Sequence, residues 1–110
     1  MRWATVLAAL SGAVAVAAGA FGAHAASGAA AEWLKTGAQY QLIHALAALA
    51  AVRMGARAPA WLFVAGAGVF AGTLYAMALG APHWLGAVTP LGGVALIGGW
   101  LWLAWRSVRS

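Results

Sequence analysis

The sequence predicts an all-α integral membrane bundle of four transmembrane helices, with up-down topology and both termini cytoplasmic. Three observations predict it. The 110 residues are 65% hydrophobic and only 6% charged, whereas a soluble domain carries roughly a quarter charged residues. The apolar residues gather into four runs, each compatible with the length of about 20 residues that a spanning helix needs. Five basic residues, Arg2, Arg53, Arg57, Arg106 and Arg109, fall on one side of those runs.

The expected spans are residues 3–23, 36–53, 58–79 and 86–105, forming a single transmembrane domain. Alanine and leucine dominate them, which favours helix, and no barrel-like alternation is present. The first run follows Arg2 and ends in Ala23-His24-Ala25, an imitation of a signal peptide. It is longer than a usual signal core, so a retained span is expected. The second is the shortest and needs the turn upstream, near Ala29, or local bilayer thinning. Its lead-in, Glu32-Trp33-Leu34-Lys35, suits an interfacial turn of helix. Between the second and third runs, Gly55 suits a helix stop and Pro59 a helix start. Gly80-Ala81-Pro82-His83 joins the last pair. Links this short make neighbouring helices antiparallel.

Orientation follows from charge. Opposite the five arginines stands only Lys35, offset by Glu32, so both termini are expected inside. Trp3, Trp61 and Trp105 mark the inner boundary, and Trp33 and Trp84 the outer one.

Several chemistries are excluded. There is no cysteine, and Glu32 is the only acid, so thiol chemistry and paired-carboxylate catalysis have no residues to use. The arginines flank apolar runs without a basic, aromatic-interleaved stripe, which argues against nucleic acid. The expected partners are the lipid bilayer and either copies of the chain or a larger membrane complex. No cofactor is expected.

Small residues recur at helical spacing. Ser11, Ala15, Gly19 and Gly22 do so in the first span, Gly68, Gly72, Ala76 and Gly80 in the third, and Gly92, Ala95 and Gly99 in the fourth. Such stripes let helix backbones approach closely, within one bundle or between copies. In the second span Gly37, Gln41, His44, Ala48 and Ala51 share a face, with Tyr40 one turn before His44. Glutamine and histidine are costly in hydrocarbon unless partnered. The intramembrane polar cluster is therefore Tyr40, Gln41 and His44, joined by Thr73 and Tyr75. His24, Gln39, His83 and Thr89 are further outer-side polar positions, with Pro90 beside Thr89.

Four segments carry a family resemblance. They are Gly19-Ala20-Phe21-Gly22-Ala23-His24, Thr36-Gly37-Ala38-Gln39-Tyr40-Gln41-Leu42-Ile43-His44-Ala45-Leu46, Phe70-Ala71-Gly72-Thr73-Leu74-Tyr75 and Val88-Thr89-Pro90-Leu91-Gly92-Gly93. In this order they resemble the domain of unknown function 423, or transmembrane protein 256, family. The stretch 25–31 is more alanine-rich than that pattern. The resemblance implies a small multi-span protein of bacterial inner membranes, with eukaryotic relatives and no established activity.

Three functions remain in view. The first is a non-enzymatic structural or accessory membrane component that packs with itself or a larger complex. The second is an oligomeric small channel or transporter, with Tyr40, Gln41, His44 and Thr73 around an outer-half polar cavity. The third is a metal or haem carrier, weakened because the three histidines lack i,i+4 ligand spacing. Ser11 lies too far from His44 for a hydrolase pair.

Overall fold

In hydrocarbon every backbone N–H and C=O must be satisfied within the segment or across a closed barrel, which leaves an alanine- and leucine-rich chain with helix. The computed structural model describes residues 1–109, and they are almost entirely helical. Four helices follow one another: α1 (Arg2–His24), α2 (Gly28–Arg53), α3 (Arg57–Ala78) and α4 (Thr89–Arg109), with a short 3-10 turn at His83–Ala87 before α4. Three stretches are long and apolar enough to cross a membrane: Arg2–His24, Arg57–Ala78 and His83–Arg109. α2 has the length, at 26 residues, but Glu32, Lys35, Gln39, Gln41 and His44 dilute its apolar character.

The helix ends follow backbone chemistry. α2 closes on Gly55 at φ 72°. The Gly55 N–H donates to Val52 O at 3.0 Å and the Ala56 N–H to Ala51 O at 2.8 Å, the paired bonds of a Schellman cap. α3 closes the same way on Gly80, at φ 104°, with Gly80 bonded to Met77 and Ala81 to Ala76. Gly80 therefore caps α3 and is not the last member of a packing stripe. α2 also begins earlier than the expected span, at Gly28, so the Glu32–Lys35 turn belongs to it.

Neighbouring helices are antiparallel. A Cβ added at Gly12 meets Ala45, at Gly19 meets Ala38, and at Gly22 meets Leu34, as α1 runs against α2. Gly66 approaches Gly92, and Phe63 approaches Gly99, as α3 runs against α4. α1 packs on α2, α2 on α3 and α3 on α4, while α1 and α4 hold opposite flanks. This is an open meander of helices, not a closed ring of four.

The core is made of small side chains. Ala8, Ala48, Ala51, Ala60 and Ala67 surround the fully buried Phe63. Within a bilayer such contacts gain little from the hydrophobic effect. They stabilise through dispersion at close approach, which alanine and glycine permit.

Candidate functional site

α2 buries its small-residue face, and that face carries Gln41 and His44, each 6% exposed. A buried amide in this setting needs a partner at both ends. The Gln41 Nε2 donates to Ser11 Oγ on α1 at 3.0 Å. Its Oε1 accepts from the Tyr75 hydroxyl on α3 at 2.7 Å. One side chain thus ties three helices.

His44 ties α2 to α4. Its Nδ1 lies 2.6 Å from the Tyr40 backbone carbonyl, and its Nε2 lies 3.0 Å from the Trp100 indole Nε1. A carbonyl only accepts and an indole N–H only donates. Together they select the neutral tautomer, with the proton on Nδ1 and the Nε2 lone pair facing Trp100. Phe63 and Trp100 rings pack at 5.8 and 5.9 Å from the imidazole. A third link closes the outer part of α3 on α4: Thr73 Oγ1 and Thr89 Oγ1 are 2.6 Å apart. Each hydroxyl also has a carbonyl acceptor one turn back, Val69 O at 2.9 Å for Thr73 and Leu85 O at 3.3 Å for Thr89, so either can donate to the other. Among the described residues no buried side-chain N or O lacks a hydrogen-bond partner.

The other sequence candidates sit apart. Tyr40 is 44% exposed. It meets His44 through its backbone carbonyl and packs its ring on Phe70 at 4.7 Å. Gln39 and His24 are exposed. His83 leaves the interior too, its ring standing edge-on to Trp33 at 5.2 Å. Among the described residues no three His, Cys, Asp or Glu side chains group as metal ligands, and the three histidines do not converge. Ser11, Trp100 and Trp33 are partners that sequence reasoning missed. Nothing in the sequence spacing pairs Ser11 with Gln41, and nothing in it singles out Trp100.

Of the packing glycines, Gly19, Gly22, Gly37, Gly92 and Gly99 lie at close helix contacts. A Cβ at Gly92 would stand 2.5 Å from the Phe70 backbone N, and one at Gly37 would stand 2.7 Å from the Tyr75 ring. Gly68 and Gly72 are different. Both are exposed, and a Cβ at either meets nothing within 4 Å. α3 uses Gly66 against α4, two positions from Gly68 and so nearly opposite it on the helix. The expected stripe exists, but it faces away from the other three helices.

A cavity of about 470 Å³ opens between α2, α3 and α4, with Tyr40, His44, Phe70, Ile97 and Trp100 among its walls. Its lining is mostly apolar. Both His44 ring nitrogens are turned to protein partners rather than into the cavity.

This fold and its paired polar layer define a small helical membrane protein. The family model described as "Protein of unknown function (DUF423)" matches residues 18–93, and the chain belongs to that family. It is 39% identical to the UPF0382 inner membrane protein YgdD of Escherichia coli K12, over 98% of this chain and 91% of that protein. The UPF0382 membrane protein YwdK of Bacillus subtilis is 34% identical, over 99% and 98%. A Haemophilus influenzae UPF0382 membrane protein is 38% identical, over 94% and 92%. No solved structure matches.

Proposed function

We propose that the chain is a four-span accessory protein of the bacterial inner membrane that associates laterally, with a second copy of itself, through the outward glycine face of α3. One observation carries the association: Gly68 and Gly72 border open space in the chain alone, while the glycines that hold the helices together lie elsewhere. Exposed glycine in a lipid-facing helix lets another backbone come close. A larger membrane complex seated on the same face is the variant of this role.

Two facts support the four-span arrangement. α1 and α3 both run antiparallel to α2, so a chain that crosses in α1 and α3 returns through α2. The five flanking arginines gather at the end holding the termini and the α2–α3 link, where Arg106 donates to Met54 O at 3.3 Å. The positive-inside rule places that end in the cytoplasm. A channel finds less support, since the walls beside His44 are apolar.

The test uses Gly68→Leu and Gly72→Leu. A Cβ at either position meets nothing within 4 Å in the monomer, so both variants are expected to keep their fold. Native mass spectrometry from mild detergent is expected to show oligomers for the parent chain and monomers for the variants. Monomers from the parent in both detergent and nanodiscs overturn the proposal.

A further inference from the structure

The α2–α3–α4 cavity is not explained by helix packing or by the association face. Its about 470 Å³ falls within the range of small-molecule sites, roughly 300–1,000 Å³. Four aromatic rings stand in its walls, with Tyr40 and Phe70 4.7 Å apart and His44 and Trp100 5.9 Å apart. No charged side chain lines it, so a charged ligand has nothing to pair with there. His44 is already saturated by Tyr40 and Trp100. The Tyr40 hydroxyl is the free handle, with no hydrogen-bond partner among the described residues. Tyr40 lies about 6 Å along the axis inward of Thr36, where the expected second span begins, at 1.5 Å per residue. A hydroxyl inside a span is costly while unpaired.

We infer that this cavity binds a neutral, lipid-soluble molecule with a flat carbonyl-bearing ring, the chemistry of a prenylated quinone, whose carbonyl accepts from Tyr40. The aromatic lining separates this ligand from an ordinary phospholipid. Acyl chains carry no ring to stack on it. A ring stacks on Phe70 and Trp100, and its tail leaves through the gap between α2 and α4 into lipid. Binding is all that is inferred, and no electron transfer is implied.

The full chain is placed in nanodiscs of quinone-free lipid, and decylubiquinone is the probe. Retention is measured above that of empty discs. The parent chain is expected to retain the probe saturably. Tyr40→Phe removes only the hydroxyl, which bonds nothing in the protein, and is expected to weaken retention about tenfold, the scale of one hydrogen bond. Gly93→Leu fills the cavity from α4, where a Cβ meets Phe70 at an ordinary 3.8 Å, and is expected to abolish retention. Decylbenzene has the same tail without carbonyls and is expected not to compete. Retention equal to empty discs, equal retention by Tyr40→Phe, or full competition by decylbenzene each overturns the inference. The last outcome assigns the cavity to hydrocarbon chains.

Discussion

Gln41 and His44 each satisfy two groups with one side chain, and this decides what their loss does. Gln41→Leu strands the Ser11 and Tyr75 hydroxyls together, a cost of about 1–3 kcal/mol for buried unsatisfied groups. Tyr75→Phe strands one group, the Gln41 Oε1, where Gln41→Leu strands two. Thermal melting in detergent should therefore rank Gln41→Leu below Tyr75→Phe, and equal melting temperatures would contradict the shared role of the amide. Solid-state nitrogen NMR of His44 should report a protonated Nδ1 and a bare Nε2, with the Nε2 signal shifting in Trp100→Phe. That Gln41 and His44 face protein was legible from their place among small residues on α2. Their partners were not. Ser11 and Trp100 depend on the relative height of helices far apart in sequence, and a long amide side chain spans levels that backbone pairing alone does not align.

Glycine spacing shows where helices can approach without saying which face does so. In α3, Gly66, Gly68 and Gly72 look alike in sequence, yet Gly66 meets Leu96, Ala95 and Gly92 while the other two meet open space. What distinguishes them is the bulk beside Gly66: Phe63 and Phe70 share its side of the helix, and on α4 the Phe63 ring meets Gly99 while the Phe70 ring lies beside Gly93. The consequence is measurable. Gly92→Ala forces α3 and α4 apart against backbone and should destabilise by about 1–3 kcal/mol. Gly68→Ala and Gly72→Ala should leave stability unchanged or slightly raised, since alanine has the better helix propensity by about 1 kcal/mol at most. Equal loss at all three positions, in unfolding titrations with a denaturing detergent, would contradict the assigned faces. Helix ends were more legible, because Gly55 and Gly80 supply the left-handed residue that each cap requires. The start of α2 was legible to within a residue or so, since the helical lead-in at Glu32–Lys35 and a beginning near Ala29 both suit a helix that starts at Gly28.

At the scale of the molecule, the helical membrane architecture was plain from composition, whereas its open meander was not. Short links demand antiparallel neighbours but leave open whether the last helix returns to the first. Here α4 stays on the far side of α3, which exposes the cavity beside His44 and leaves the glycine face of α3 uncovered. Reporter fusions after Arg109 should be active as a cytoplasmic fluorescent protein and inactive as a periplasmic phosphatase; the reverse pattern would contradict the inward termini. The association face has the most direct test, because the chain contains no cysteine. Single cysteines placed at Gly68, Gly72 and, as a control on α4, Leu101 can be oxidised in native membranes. Disulfide-linked dimers through residues 68 and 72 but not 101 are the predicted result. Dimers at 101 alone, or at none of the three, would contradict lateral association through α3.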